Sequence, residues 1–291
     1  MKIVVTSANS ATGSILIPVL KAAGHYTIGL VRKSVALPAD EVIVDWMHAP
    51  GAARALEEAD VVVHLSGELN AKSERLYEEA NLETARVVAA HVRARRLIYL
   101  SYPHASSGEK NYYLRTKGQA EEVLRQTGIP LVVFRCPVII DAPDKVSKID
   151  VLFKAPKGKR VPLLGWDWPV PVIGSGRQTM RPVYRGTVVE AIAAAVAGGQ
   201  AGTYELSGVD EVTIDEFIRL ANPSGVRLLH IPGWLAFGLS RVLPELSSTF
   251  ADMMLHHTGS VFDPSTYREF GIQPVSIVEM WRRGSRISNL Q

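Results

Sequence analysis

The chain has a single cysteine, Cys136, in 291 residues. That excludes an internal disulfide framework and any cysteine-built metal site, so no metal is expected, and it suits a reducing, cytoplasmic compartment. Charge of one sign is also lacking. The 32 Lys and Arg residues against 29 Asp and Glu leave a formal charge of +3, a mixed surface that does not imply nucleic acid as a partner. The densest basic cluster, Arg93 to Arg96, reads as a solvated helix end where cations suit the dipole. No apolar run reaches the length of about 18 residues that a membrane span needs, so no span is expected. No charged segment followed by a short apolar one precedes the first strand, so no signal peptide is expected either. Nor does any period suggest solenoid repeats. What remains is 47% hydrophobic and 21% charged, the composition of a soluble globular protein long enough to bury a full core.

The stretch that organises the chain is Lys2 to Leu20. Lys2, Ile3, Val4, Val5 and Thr6 form a β-branched run. A turn of small residues follows from Ser7 to Thr12, and Gly13 opens a helical pattern with Ile15, Leu16, Val19 and Leu20 on its apolar side. Strand, tight turn and helix N-terminus are the parts of a dinucleotide-binding βα unit, whose backbone N–H groups and helix dipole hold a pyrophosphate. Ser7, Ser10, Ala11, Thr12 and Gly13 are the candidate pyrophosphate residues. In the pattern Gly-x-x-Gly-x-x-Gly, Ser7 and Ser10 stand where the first two glycines are expected.

Strands are expected at Tyr26–Val31, Val42–Asp45, Val61–Leu65, Leu97–Leu100 and Leu131–Phe134, with helices at Ala52–Glu58, Ser73–Val92 and Tyr113–Arg125 between them. Strands alternating with helices, without hairpin turns, specify an α/β fold with a doubly wound parallel sheet. The second strand ends at Arg32 and Lys33, where a basic residue accommodates the 2′-phosphate of NADP. The fourth runs into Ser66 and Gly67 at a strand's carboxyl end, where ligands of open α/β sheets bind. His64, the one polar member of that run, reads as a core histidine hydrogen-bonded to backbone rather than a catalytic one. A helix is expected at Gly186–Ala197, a strand at Thr203–Leu206 and a capped helix at Thr213–Leu220. Residues 226–291 read as mostly helical, with Pro232, Pro244, Pro264 and Pro274 at helix starts or interruptions. The domain reading is 1–141 as an NAD(P)-binding core and 142–291 as a C-terminal substrate lobe. Lys145–Pro171 belongs to that lobe, and residues about 183–206 return to the core.

Tyr113 and Lys117 stand four apart at the start of a helix, on one face. A phenol is a poor acid–base group at neutral pH until a neighbouring ammonium favours its phenolate. Such a pair can exchange a proton with a substrate oxygen while a nicotinamide exchanges the hydride.

The ordered motifs VVTSANSATGS, LVRKS, VVVHLSG, NLETARVV, LIYLSYP, YLRTK, VVFRCPVII and GSGRQTMRPVYRGTVVEAIAAAV, followed by GTYELSG, resemble the extended or atypical short-chain dehydrogenases/reductases. The nearest subgroup is NmrA-like, related to the NAD-dependent epimerase/dehydratases and to the Rossmann-type accessory subunit of respiratory complex I. The resemblance implies that Arg32 meets the 2′-phosphate, Asp45 and Trp46 flank the adenine, and Leu65, Ser66 and Gly67 flank the ribose. It places Tyr113 and Lys117 at the nicotinamide ribose and Pro137 and Val138 at the nicotinamide ring. Ser101 or Tyr102 would polarise a substrate oxygen, with Ser106 and Ser107 as weaker candidates. Arg177, Arg181 and Tyr184 fall in the segment that contributes to the substrate site in extended members, and arginines suit an anionic ligand; surface arginines of a loop are the equal alternative.

The leading expectation is an NADP(H)-binding oxidoreductase, NAD being the alternative cofactor, that acts on a small carbonyl, enone or quinone-like molecule. Tyr113 would donate the proton and Lys117 tune its pKa. A non-catalytic NAD(P)-binding regulatory or assembly module is the second expectation, motivated by Ser7, Ser10 and the displaced serine. A sugar-nucleotide epimerase or dehydratase is the third, and it predicts NAD and a phosphate-binding arginine at 177 or 181.

Overall fold

The computed structural model describes residues 1–143, 168–241 and 247–288, with side chains to 282. Most of the Lys145–Pro171 lobe segment and Pro244 lie outside the described residues. By its contacts the chain divides into two units. The first comprises Met1–Cys136, Gly186–Leu206 and Asp263–Gln273, the second Pro137–Arg185, Ser207–Phe262 and Pro274–Gln291.

The first unit is built on a seven-stranded sheet: β1 (Lys2–Thr6), β2 (Tyr26–Val31), β3 (Glu41–Val44), β4 (Val61–His64), β5 (Arg96–Ser101), β6 (Leu131–Arg135) and β11 (Gly202–Glu205). Their spatial order is β11-β6-β5-β4-β1-β2-β3, and every pair is parallel. This is the doubly wound arrangement the alternating pattern specifies. Its order reverses beside β1, which lies between β2 and β4, and ligands of such sheets bind at the strands' carboxyl ends there. β4 is buried along its whole length, as a strand covered on both faces must be. Val4, Ile28, Leu30, Leu56, Val62, Val88, Leu97 and Val133 meet in one cluster between sheet and helices.

Helix α1 (Ala11–Ala22) starts two residues earlier than expected, because the Ser10 hydroxyl accepts from Gly13 N and caps it. The long helix expected over Ser73–Val92 is not uniformly α-helical. It runs as α3 (Glu74–Tyr77), a π-helical segment (Glu78–Glu83) and α4 (Thr84–His91). Helices α2 (Pro50–Glu57) and α5 (Tyr112–Arg125) complete the alternation, α5 being capped by the Asn111 carbonyl.

In the second unit β7 (Ile139–Ile140) pairs with β10 (Val183–Tyr184), β9 (Thr179–Met180) with β12 (Val212–Thr213), and β8 (Val170–Ile173) with β13 (Leu228–Ile231). β13 is a strand within a stretch expected to be mostly helical. Helix α7 (Ile214–Ala221) carries the expected capping box, Thr213 with Glu216, while α6 (Arg185–Ala197) belongs from Gly186 onward to the first unit. Ile140, Val172, Met180, Phe217 and Trp281 form this unit's core. The Trp281 indole donates to Asp141 O, and Asp141 pairs with Arg185 at 2.8 Å, both side chains buried. Helices α8 (Gly233–Leu239) and α9 (Ser248–His256) follow. Among the described residues no helix is long and apolar enough to cross a membrane.

Candidate functional site

The carboxyl end of β1 leads straight into the turn that was expected to hold a pyrophosphate. Ser7 adopts φ 48°, the left-handed region where glycine is at ease and serine pays a steric penalty. Two hydroxyl contacts hold it there: its Oγ lies 2.9 Å from Ser66 Oγ, which in turn lies 3.1 Å from Thr6 Oγ1. The Ser7 carbonyl accepts from Ser10 N, closing the turn. At Gly13 a Cβ would stand 2.6 Å from Ala8 O and 2.9 Å from Ser7 O, so only glycine lets the helix start this close to the turn. Around Gly13 the turn therefore has the close strand-to-helix approach that a bound dinucleotide needs, and the residues fit one. The Ser10 hydroxyl, however, already occupies the Gly13 N–H at 3.1 Å, a donor that would otherwise face an anion.

Thr6 ties this turn to the end of β4. Its Oγ1 accepts from Leu65 N and Ser66 N and lies 2.9 Å from His64 Nδ1. The Ser66 hydroxyl donates to the same oxygen, so three donors converge on it and the threonine directs its own proton to His64. Burial first, and the Lys117 charge second, lower the His64 pKa to about 3, which keeps the ring neutral and accepting. His64 is thus a core histidine stacked on Tyr99, but its partner is the Thr6 hydroxyl rather than backbone.

Gly67 is where the turn after β4 meets α5. A Cβ there would lie 2.7 Å from Lys117 Nζ and 2.9 Å from Asn81 Oδ1. Lys117 is only 4% exposed; its Nζ donates to Leu100 O at 2.9 Å and Ser66 O at 3.4 Å and lies 4.7 Å from the Tyr99 ring centre. Burial lowers its pKa to about 8. Asn81, in the π-helical segment, accepts from Glu68 N and donates to Thr116 Oγ1. The sequence reading did not single it out; its only signal was its place at the head of NLETARVV.

Tyr113 is buried at the start of α5 and meets Tyr102 edge to face at 5.5 Å and Tyr77 at 6.3 Å. Burial, with Tyr102, Tyr77 and Glu68 adding to it, raises its pKa well above that of an ordinary phenol. Burial, the largest cause, sets this direction against the lowering expected from Lys117. Tyr113 is held as the protonated phenol, the form of an acid.

Three expected residues take other places. The Ser101 hydroxyl donates to Glu121 at 2.6 Å, so it is turned away from the role of polarising a substrate. Glu121 is buried and also accepts from Arg125 and twice from Arg135. Burial alone would raise its carboxyl pKa, but Arg135 and Ser101 outweigh that and lower it. Trp46, expected beside an adenine, is 2% exposed and belongs to the core cluster. Asp45 at φ 51° turns the chain so that Trp46 N bonds to Val31 O and the indole goes inward. Asp45 itself faces solvent and pairs with His48.

Arg32 and Lys33 are exposed just past β2, and Arg32 makes no ion pair among the described residues. Ser106 and Ser107 lie on the β5–α5 loop, where Ser107 donates to Glu122. Pro137, Val138, Arg177, Arg181 and Tyr184 belong to the second unit. There Val138 O accepts from Val183 N, and Tyr184 and Val138 pack on that unit's core. Arg181 is engaged by Glu211 at 2.5 Å and by Val209 O, while Arg177 is exposed.

A protein family described as NAD(P)H-binding matches residues 7–162. The sequence has no match among curated proteins. Among solved structures, the chain is similar to UDP-glucuronic acid 4-epimerase from Bacillus cereus, in complex with UDP-glucuronic acid and NAD. The TM-score is 0.71 at 16% identity, with 97% of each chain covered. It is also similar to dTDP-glucose 4,6-dehydratase from Streptomyces venezuelae, with NAD and TYD bound (TM-score 0.69, 20% identity, 97% of each chain). A third likeness is to UDP-glucose 4-epimerase from Thermotoga maritima with UDP-glucose (TM-score 0.69, 15% identity, 97% of this chain and 96% of that one). At these identities the likeness is one of fold.

Proposed function

The chain belongs to the NAD(P)H-binding family, and from that premise we propose that it is an NADP(H)-dependent oxidoreductase of the atypical short-chain type. Its substrate is a small carbonyl, enone or quinone-like molecule. The observation that carries this reading is the buried pair on α5. Lys117 is seated against the Gly67 turn at the carboxyl ends of β4 and β5, and Tyr113 stands one helical turn before it with its phenol kept protonated.

In this reading the turn of Ser7, Ser10, Ala11, Thr12 and Gly13 lines the pyrophosphate, with the α1 dipole favouring its charge. Arg32, with Lys33 beside it, takes the 2′-phosphate through its fork of donors. Leu65, Ser66 and Gly67 line the ribose, and Lys117 reaches its hydroxyls. A bound nicotinamide supplies the hydride chemistry. Tyr113 supplies a proton from its phenol oxygen to the substrate oxygen, for which a protonated resting state is the required one. Tyr102, edge to face with Tyr113, is the polarising hydroxyl in preference to Ser101, which is spent on Glu121.

A nucleotide-sugar epimerase or dehydratase is the second reading, favoured by the likeness to such enzymes over 97% of the chain. It needs NAD and an arginine for the substrate phosphates. Arg181 is already paired with Glu211, which leaves Arg177 for that task, while the exposed Arg32 favours NADP.

The test is steady-state NADPH consumption against a panel of small carbonyls, enones and quinones, with UDP- and dTDP-sugars assayed in parallel. Turnover of a panel member that falls at least about a hundredfold in Tyr113→Phe supports the reading, since general acid catalysis contributes on that scale. Turnover unchanged in Tyr113→Phe removes the acid assignment. Conversion of a nucleotide sugar selects the second reading, and cofactor binding without any turnover selects a non-catalytic module.

A further inference from the structure

The second unit carries a helix whose composition and exposure disagree. Helix α8 reads GWLAFGL, with no polar side chain in its seven residues. A helix apolar on every side is ordinarily buried in a core or a membrane, yet Ala236 is its one buried residue. Trp234 is 75% exposed, and Leu235 and Phe237 are each more than a third exposed. The inner side is fixed: Ala236 is fully buried, and Gly233 lies so close to α9 that a Cβ would stand 2.9 Å from Leu255 Cδ1. The outer side is therefore presented by a firmly seated helix.

Trp234 and Phe237 stand three apart on one face. Arg241, whose N–H bonds to Gly238 O, follows directly after the Ser240 cap of this helix and is exposed. Five positions before Trp234, Leu229 on β13 is also more than half exposed. From Val226 to Arg241 the sequence holds Arg227, His230 and Arg241 and no carboxylate. His230 faces Asp215 at 3.0 Å, so its charge is matched within the unit, but Arg241 makes no ion pair among the described residues. Trp and Phe beside an arginine match the chemistry of a bilayer interface, where aromatic rings settle at headgroup level and a guanidinium reaches lipid phosphates. Seven residues are far short of the roughly 20 needed to span, so such a helix lies in the interface plane.

We propose that the Trp234–Phe237–Arg241 face is a peripheral membrane-contact site that docks the protein on bilayers rich in anionic lipid. The proposal is independent of the cofactor reading, because none of these residues belongs to the candidate site. Two weak signals, apolar insertion and cationic attraction, act together, as stable peripheral anchoring requires.

The full chain is sedimented with vesicles of phosphatidylcholine alone and of phosphatidylcholine containing about one-third phosphatidylserine. The wild type is expected to pellet with the anionic vesicles and to be released by salt. Trp234→Ser and Phe237→Ser should each lower vesicle affinity about tenfold, and Arg241→Glu should lower it on anionic vesicles more than on neutral ones. Thermal melts of each variant confirm that it is folded, and Trp234→Tyr should retain most of the binding. Wild type remaining in the supernatant, or equal pelleting of Trp234→Ser, overturns the proposal. So does a dimer in solution that Trp234→Ser dissolves without any vesicle binding by the wild type, which would assign the face to a second copy of the chain.

Discussion

Replacing Gly67 by alanine puts the packing of the candidate site under a defined load. The added Cβ would lie 2.7 Å from Lys117 Nζ, 3.1 Å from Lys117 Cε and 2.9 Å from Asn81 Oδ1. Ordinary contact lies near 3.5 Å, so the ammonium must retreat by most of an ångström. It has little room: the side chain is buried, and Leu100 O and Ser66 O hold the Nζ at 2.9 and 3.4 Å. Losing one charge-assisted bond from a buried ammonium costs about 1.5–3 kcal/mol. Displacing Asn81 weakens its bond from Glu68 N as well, so a total of about 2–4 kcal/mol is expected. In thermal unfolding this is a fall in midpoint of about 4–12 °C. The same substitution in a Lys117→Met background should cost half as much or less, because the ammonium it collides with is gone. A midpoint within about 1 °C of wild type, or an undiminished cost without Lys117, would refute the claim that Gly67 exists to admit the lysine.

Two further outcomes follow from the same groups. Burial holds the Lys117 pKa at about 8 against an ordinary 10.5, so between those values the folded state binds fewer protons than the unfolded one. Stability therefore rises with pH across that window, and on the order of 3 kcal/mol is forfeited below it; urea melts at about pH 7.5 and 10 should show this rise in wild type relative to Lys117→Met, and parallel curves would contradict it. Ser10→Gly frees the Gly13 N–H that the serine hydroxyl now occupies. A cap exchanged for glycine costs only a few tenths of a kcal/mol, so NADPH binding, followed by fluorescence, should tighten severalfold with little change in melting temperature; weaker binding would mean that the hydroxyl serves the phosphate rather than competing with it.

The sheet was legible because its strands are continuous apolar runs. VVVHL and LVVF can be satisfied only by burial on both faces, and once they alternate with helices the parallel order follows. β13 was missed because Leu228–Ile231 has only two half-buried residues and two exposed ones, and so lacks the burial signature of a core strand. The π-helical segment around Asn81 leaves no periodic trace over six residues. In the site, what was read from local spacing and what was read from position in the chain fared differently. Tyr113 and Lys117 are neighbours on α5 whatever the rest of the chain does. Trp46 was assigned by its position just past a strand, and the positive φ at Asp45 that sends the indole into the core is invisible in the sequence. Ser101 was assigned in the same way, and its actual partner, Glu121, lies 20 residues away on another element. Burial also reversed the direction of the Tyr113 shift: sequence supplies the ammonium four residues on, but only the structure shows how deeply the phenol is buried.

NADP(H)-dependent catalysis requires the turn from Ser7 to Gly13 to hold a pyrophosphate while Arg32 reads a 2′-phosphate. Fluorescence titration of the wild type and of Arg32→Glu with NADPH and NADH tests both at once. The wild type should bind NADPH more tightly than NADH by about tenfold or more, and Arg32→Glu should lose that preference while keeping its NADH affinity, since a charge-assisted bidentate contact is worth at least that much. Equal affinities in the wild type would contradict the assignment of Arg32, and no binding of either nucleotide would contradict the site itself.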